Sequence, residues 1–580
     1  MTILCSLLLG ALPAAPAPDN DLFTLYIADT DTFFANDKDA GLLNAFKMLH
    51  ARMGELPGEI PDFPQLPPEM VSLVTDLLTG EKSLRIGTTD DPGMPLPVYG
   101  QMDFIEGDEA AAQRLAMTLY DLGLMAGVPF GQKGEDGLLS LVGMDPVDVS
   151  FGAMGSSVIL SAGKSIDHGV DLSTTGLPAG VAPNFLMEMD MGEIMNLLED
   201  FSVMAGEGED FVNPLAQVGL DQMMIRVASG SDNERSYTVT RMPGHGSWAA
   251  GTGMTPRRNL TLADVNIIPQ SAMFGMVSTT NFQGTVDYVL EMLEPELAKE
   301  GIADPVGMVA ALTGFHLEED LIDHLGDAVG VYTSDATGGG GLLSLVAFME
   351  LNNPEGMLGT IERLEDIING VGAVAAQGYV RTRHWQHGGN EYLSLTFPGL
   401  PIPAEPTLSV SGNHLFIGMS PGATVGAVES AQQTGGLNDN PRFVGNLPHA
   451  IADSQSISFV DSPRMLRHGY GITSLFCSAL VNGMRSRFDD SRDAGMIMPT
   501  FPELARGAKA SVTSTYMDGN DLVTEQWADS SILVNMTSMA GWLTASPAAL
   551  LLPMAFIGLW TTGSEAEELL LAEPFVYELK

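Results

Sequence analysis

The feature that most constrains the fold is an internal repeat, because the chain carries the same order of predicted elements twice. The first copy begins with the strand-like segment LFTLYIAD (Leu22–Asp29), and the second begins with AMFGMVST (Ala272–Thr279). In both, an amphipathic helix, a glycine turn, several strands and a closing hairpin follow in the same order. Late in each copy a strand runs into a helix at an aspartate, Asp190 and then Asp461. A shared order over so many elements indicates that one folding unit was duplicated.

The predicted fold class is α+β. Segments such as TLSVSG and ASVTSTY alternate apolar with small polar residues, which favours antiparallel strands with one solvated face. Apolar residues recur at helical spacing after Asn353-Pro354, a good helix start, and Asn369-Gly370 is typical of a left-handed helix end. We therefore predict two tandem related modules, each a mainly antiparallel sheet with helices packed on one face.

These patterns divide the chain into five parts. The predicted parts are a signal peptide at 1–18, a first module at 20–243, a linker or long loop at 244–262, a second module at 263–530, and an apolar C-terminal segment with an acidic tail at 531–580. The signal peptide is inferred from an apolar run that ends in Ala15-Pro16-Ala17. The usual basic residues are absent, since no Lys or Arg precedes Lys38.

The C-terminal segment has two interpretations. Trp542–Trp560 is close to the ~20 apolar residues that span a bilayer, and a tryptophan at each edge suits the two interfaces. Pro547 and Pro553 interrupt it, however, which is equally typical of a helical hairpin packed on the protein. The sequence leaves a C-terminal membrane anchor open.

The charge balance excludes one class of partner. The 580 residues include 26 basic and 73 acidic side chains, for a net charge of −47. Such a chain cannot neutralise a run of phosphates, so we expect no nucleic-acid partner. The sequence predicts no cofactor, and it leaves the identity of any protein or small-molecule ligand open.

Several sequence segments of the second copy resemble those of a family of bacterial secreted proteins, domain-of-unknown-function family 3352. They are GFHLEEDLIDHLGDAVGVYTS (Gly314–Ser334), LLSLVAFMELNNPEGMLGTIERLE, LSVSGNHLFIGMSPGATVGAVESA and LNDNPRFVGNLP. The resemblance spans about Met273–Asp461 and extends more weakly to the first copy. It implies an exported or envelope-associated protein with no established reaction, and it carries over no functional residue.

One segment matches a catalytic motif. Gly418-Met419-Ser420-Pro421-Gly422 is a G-x-S-x-G between a predicted strand and helix, as in the nucleophile elbow of hydrolases, and Asp461 and His468 follow in hydrolase order. Against this, the neighbouring strands are predicted to be antiparallel, and Pro421 removes a backbone N–H that normally helps to form the oxyanion hole. We therefore interpret Ser420 as a helix-capping turn residue and keep catalysis as the alternative.

Metal binding is suggested at one acidic segment. Asp29, Asp31, Asp37 and Asp39 offer oxygen ligands for calcium, although no bidentate glutamate follows at the required spacing. The alternative is a loop at a helix start, where carboxylates suit the helix dipole. His384 and His387 have a spacing that can chelate zinc, but they lie beside Gly388-Gly389 in a predicted hairpin tip without a third ligand.

Taken together, the sequence predicts a non-enzymatic binding or scaffolding component that is secreted, periplasmic or held in the cell envelope. A groove between the modules is the expected place for a ligand. The alternatives are a serine hydrolase that uses Ser420 and a sensor tethered to the membrane by the C-terminal segment.

Overall fold

The structure is a computed structural model. It describes residues 20–34, 40, 43–44, 79–88, 98–125, 127–134, 137–142, 148–163, 170–172, 175–197, 223–232, 235–299, 304–339, 341–372, 378–399, 404–433, 435–483, 500–505 and 508–528. The predicted signal peptide, Asp37 and Asp39, and the segment Trp542–Trp560 lie outside the described residues.

Within the described ranges, twenty strands form one sheet, and every pair of neighbouring strands is antiparallel. The strands are β1 (Asn20–Ile27), β2 (Glu81–Thr88), β3 (Val98–Ile105), β4 (Phe130–Lys133), β5 (Leu139–Leu141), β6 (Val149–Met154), β7 (Ser157–Ala162), β8 (Ala182–Asp190), β9 (Met224–Ser231), β10 (Ser236–Met242), β11 (Ala272–Thr279), β12 (Leu325–Ser334), β13 (Val346–Leu351), β14 (Arg381–His387), β15 (Asn390–Thr396), β16 (Thr407–Ser411), β17 (His414–Gly418), β18 (Ser454–Val460), β19 (Ser511–Asp518) and β20 (Asp521–Ala528).

Helices occupy the connections between the strands. They are α1 (Thr30–Phe33), α2 (Glu109–Met125), α3 (His245–Gly251), α4 (Leu262–Asn266), α5 (Phe282–Lys299), α6 (Pro305–Thr313), α7 (Leu317–Asp320), α8 (Pro354–Ile367), α9 (Pro421–Ala431), α10 (Pro441–Val444), α11 (Ser462–Gly483) and α12 (Phe501–Leu504). None of the described helices is both long enough and apolar enough to cross a membrane.

The strand order is the same in the two halves of the sheet. Across the first half, β1–β10, it is β4-β5-β6-β7-β3-β2-β1-β8-β9-β10. Across the second half, β11–β20, it is β14-β15-β16-β17-β13-β12-β11-β18-β19-β20. Adding ten to each strand number converts the first order into the second.

The two halves meet along a seam between β10 and β20. Seven residue pairs join these strands, from Ser236 opposite Ala528 to Met242 opposite Leu522. The Tyr237 and Trp527 rings lie edge to face at 6.0 Å between centroids. Where the halves join, the structure therefore has continuous sheet.

The prediction that helices pack on one face of each sheet is wrong for the second half. Met357 and Ile361 of α8 pack on Leu415 of β17, whereas Ala427 of α9 packs with Phe416, the next residue of that strand. Successive residues of a strand point to opposite faces. The second half therefore buries both faces of its sheet, because its strands carry large apolar residues at consecutive positions.

Two local predictions also need correction. Asn353 caps α8 as expected, since its Oδ1 accepts from the Gly356 N–H at 3.0 Å. The helix does not stop at Asn369-Gly370, however, but continues as a wider π-turn over Ile368–Gly372. The predicted linker 244–262 is likewise not a plain loop, because it contains α3.

Candidate functional site

Ser420 lies in the turn between β17 and α9, where it caps the helix. Its Oγ accepts from the Ala423 N–H at 3.3 Å and donates to the Leu343 carbonyl at 3.0 Å. Pro421 takes the first helical position, where a missing N–H is tolerated. These are the contacts of an N-cap, and they occupy the hydroxyl that a nucleophile would present.

The two residues that follow Ser420 in hydrolase order have other surroundings. Asp461 is buried, and both of its carboxylate oxygens accept from Arg442 Nη1, at 2.8 and 2.9 Å. His468 is exposed on α11. Among the described residues, no hydrogen bond connects either side chain to Ser420.

The acidic segment after β1 is described only in part. Asp29 caps α1, and its carboxylate accepts from the Thr32 N–H at 2.9 Å and from Thr32 Oγ1 at 2.6 Å. Asp31 lies in the first turn of this helix. Within the part of the chain that the structure describes, no cluster of three or more His, Cys, Asp or Glu residues could hold a metal ion.

His384 and His387 both lie on β14, and each is 3.6–3.7 Å from glutamate oxygens. His384 lies between Glu365 of α8, at 3.6 Å, and Glu391 of β15, at 3.7 Å. His387 lies 3.7 Å from Glu429 of α9. The two histidines thus contact carboxylates on helices that cover opposite faces of the sheet.

A buried polar network in the first half was not predicted. It centres on Asp103 of β3, which accepts from Ser83 Oγ at 3.1 Å and from Gln101 Nε2 at 2.8 Å. Arg85 of β2 lies 3.7 Å from the same carboxylate. All four side chains are nearly inaccessible to water, with Arg85 only 6% exposed. Buried charges of this kind must be paired, and here they are.

Two members of this network, Arg85 and Gln101, belong to a row of polar residues that crosses the sheet. Directly opposite one another on seven neighbouring strands lie Ser161, Gln101, Arg85, Thr24, Glu188, Arg226 and Arg241. We call this set the polar row. Residues that face one another across a ladder point to the same side of the sheet, so these seven side chains line one face.

Three landmarks identify the corresponding row of the second half. Leu22 and Met273 are bulged at the same place in β1 and β11. Gly155 and Gly412, in the turns before β7 and β17, both have φ 58°. Asp190 is the last residue of β8, and Asp461 lies directly after β18. The carboxylate of each accepts a hydrogen bond from the backbone N–H three residues later.

In each half, one row contains the residue two positions after the bulge, the residue six positions after the turn glycine and the residue two positions before the aspartate. These matching offsets identify the row of the second half that corresponds to the polar row. It consists of Gly418, Val346, Tyr332, Gly275, Phe459, Val512 and Trp527, which also face one another across seven strands. We call this set the apolar row. Four of its members, Val346, Tyr332, Phe459 and Val512, are completely buried in the main hydrophobic core. The same place in the sheet is therefore polar in one half and apolar in the other.

The sequence contained a signal for the polar row. Arg85 lies between Leu84 and Ile86, and Gln101 and Asp103 flank Met102. Alternation of this kind usually indicates a solvated face in antiparallel sheets. Arg85, Gln101 and Asp103 are instead buried, and only this burial distinguishes the polar network from a solvated surface.

A second charged cluster attaches the predicted linker to the sheet of the second half. Arg258 donates to both oxygens of Asp264, at 2.7 and 3.0 Å, and to Glu350 Oε2 at 2.7 Å. Burial alone would raise the pKa of Asp264, but the hydrogen bonds from Arg258 and Thr261 lower it overall. Nearby, burial lowers the pKa of His414, while Glu350 and Asp264 act in the opposite direction.

A surface cavity of about 520 Å³ lies between α6 and α7 of the second half. Its lining includes Val306, Ala310, His316 and Glu319. The lining is mostly apolar, and it includes neither Ser420 nor a residue of the polar row.

Comparisons of the chain with protein-family models, with curated proteins and with solved structures found no match.

Proposed function

We propose that the chain is an exported, non-enzymatic binding or scaffolding component of the cell envelope, built from two related α+β modules in tandem. The observation that carries the proposal is the seam, where seven backbone pairs make a single sheet of the two halves. A sheet bonded without a break through twenty strands is a stiff platform, because its halves cannot rotate without loss of these hydrogen bonds.

The tandem relation is supported by the common strand order and by the bulges, turn glycines and capping aspartates at matching positions. β-bulges are retained features of a fold and rarely recur at one position by accident. Export is supported by the apolar N-terminal segment and by the resemblance to secreted bacterial proteins.

The non-enzymatic part of the proposal rests on the contacts of Ser420 and is tested there. A fluorophosphonate probe labels activated serines, so we expect no labelling of the full-length protein at Ser420. Labelling that is lost in Ser420→Ala, and kept in the control Ser430→Ala of the same helix, would establish the hydrolase instead. Ser430 is a fair control because its hydroxyl bonds only within α9, to the Gly426 carbonyl at 2.6 Å.

The envelope location is tested by fractionation. The mature protein is expected outside the cytoplasm with an N-terminus near residue 19, as mass spectrometry would show. Carbonate washing of native membranes distinguishes the two remaining arrangements. Release by carbonate fits a peripheral scaffold, whereas retention fits a protein anchored through Trp542–Trp560.

A further inference from the structure

The two ends of the twenty-stranded sheet differ in a way that bears on binding. β4, at the end of the first half, has four residues, and its pairing with β5 is irregular. β14, at the other end, has seven residues and a regular ladder with β15. Short or irregular edge strands resist the addition of another strand, whereas a long regular edge accepts one.

The outward-facing backbone groups of β14 follow from its turn. Gly388 and Gly389 have φ 57° and 84°, as a two-residue type I′ hairpin turn requires. His387 and Asn390 then form the hydrogen-bonded closing pair, so that the N–H and C=O groups of His384 and Gln386 point away from β15. Thr382 has the same parity, and its N–H does point outward, donating to Asn369 Oδ1 at 3.1 Å.

The remaining positions of this edge are His384 and Gln386, which are both exposed. Among the described residues, their outward backbone groups have no hydrogen-bond partner. An extended peptide placed beside them would gain main-chain hydrogen bonds, as in strand addition to other sheet edges.

The glutamates around this edge favour a positively charged peptide. Four glutamates surround β14: Glu365 and Glu391 on the α8 face, and Glu405 and Glu429 on the α9 face. Arg383 pairs with Glu405 at 2.9 Å, but the other three glutamates have only His384 or His387 as cationic partners among the described residues. Among the described residues, Glu365, Glu391 and Glu429 therefore have no Lys or Arg partner.

We propose that β14 is a docking edge for an extended, positively charged segment of a partner protein, which adds to the sheet as a further strand. This inference rests on the proposed scaffolding function and names the partner's chemistry. Lys or Arg side chains at alternate positions of the segment point to one face of the sheet, where they would meet Glu365 and Glu391. The net charge of −47 attracts such a segment from a distance.

The test uses a defined probe with the full-length protein. The probe is a fluorescein-labelled, acetylated octapeptide of alternating lysine and valine, and its binding is followed by fluorescence anisotropy. We expect saturable binding of this probe, because its lysines complement the glutamates beside β14. A glutamate–valine octapeptide should not bind.

Backbone pairing is separated from simple charge attraction by two controls. A lysine–valine peptide N-methylated at every residue keeps its charge but has no N–H group to donate to the edge, so we expect its binding to be lost. Gln386→Pro removes an outward N–H and should abolish binding, whereas Gln386→Ala should not. Gln132→Pro, on the opposite edge strand β4, is the matched control and should bind as the unchanged protein does.

Two results would overturn the docking edge. They are equal binding of the methylated peptide and binding that survives Gln386→Pro. If Gln386→Pro unfolds the hairpin, the methylated peptide still decides the question. Loss of the docking edge would leave the scaffolding proposal intact, since that proposal is judged by the serine probe and by fractionation.

Discussion

The two halves of the sheet have the same strand order but opposite chemistry at the same place. In the first half the polar row contains three arginines and a glutamate, and in the second half the apolar row contains Tyr332, Phe459 and Trp527. The comparison shows that the pairing of the strands does not determine whether the side chains on one face of the sheet are polar or apolar. The pairing of strands can be preserved while one face changes from a hydrophobic core to a hydrogen-bonded network.

The two interiors should differ in how they stabilise the protein. Apolar burial contributes about 25 cal/mol per Å², with no demand for exact partners. A buried ion pair gains little net stability over apolar residues, and it becomes costly once one partner is removed. We therefore expect the first half to be the less stable half and the more sensitive to changes in polar side chains.

The largest effect is expected from Phe348→Ala in the second half. Phe348 is completely buried in the main core, and truncation of such a ring costs about 3–5 kcal/mol. Trp385, stacked on Tyr392 at 4.6 Å, reports unfolding of this half by fluorescence in urea. Met117→Ala, at a residue 67% exposed on α2, should leave the midpoint unchanged.

A comparable loss is expected from Asp103→Ala, at the position in the first half that corresponds to Phe348. Removing this carboxylate leaves Arg85 buried beside an apolar group, at a cost of about 3–5 kcal/mol. All five tryptophans lie beyond residue 243, so hydrogen exchange of peptides from β2 and β3 is the suitable measurement. Replacing the network with Arg85→Met, Gln101→Val and Asp103→Leu should recover most of this stability. If the triple variant is less stable than Asp103→Ala, the buried network stabilises the first half in a way that apolar side chains of similar size cannot replace.

A smaller effect is expected at the turn before α9. Ser420→Ala removes the N-cap and should cost about 1 kcal/mol in the second half, read from the same tryptophan signal. The first half has Gly163 at this position, with φ 83° and no side chain to act as a cap. An unchanged urea midpoint would mean that the capping contacts of Ser420 add nothing to stability.

The smallest effect is a pH dependence confined to the second half. Burial lowers the pKa of His414, so the unfolded chain binds a proton more readily than the folded protein. The stability linked to His414 is therefore present above about pH 6.5 and decreases as the pH falls below it. His414→Ser, which introduces the residue found at position 157, should reduce the fall in Tm between about pH 7.5 and about pH 5.5. An identical fall in both proteins would assign the pH effect to other groups.

Much of the fold could be predicted from local patterns. The α+β class, the cap at Asn353 and the hairpin at Gly519-Asn520 follow from periodicity and turn chemistry, which act over a few residues. The faces of the sheet that the helices cover could not be predicted. Leu415 and Phe416 are both large and apolar, and no local pattern shows which helix packs on which of these two residues. The predicted end of α8 at Asn369-Gly370 was also wrong. Tertiary contacts, such as the hydrogen bond from the Thr382 N–H to Asn369 Oδ1, override the preference of Asn-Gly for a left-handed conformation that ends a helix.

The candidate sites were harder to predict than the fold. The motif around Ser420 was found easily, but its interpretation depends on the Leu343 carbonyl, 77 residues away along the chain. The network around Asp103 was missed because a row across a sheet joins residues from strands that are distant in sequence. The local alternation indicates single polar residues on one face of a strand, but only the strand pairing shows that they form a row across the sheet.

The seam has a consequence for synthesis of the protein. Arg241 of β10 and its partner Asp521 lie 280 residues apart, so β10 leaves the ribosome long before β20 exists. At about 5–20 residues per second, translation of the intervening chain takes roughly 14–56 s. During that interval the nascent first half carries an uncovered strand that can pair with neighbouring polypeptides. A chaperone that shields nascent chains is therefore expected to raise the yield of native protein.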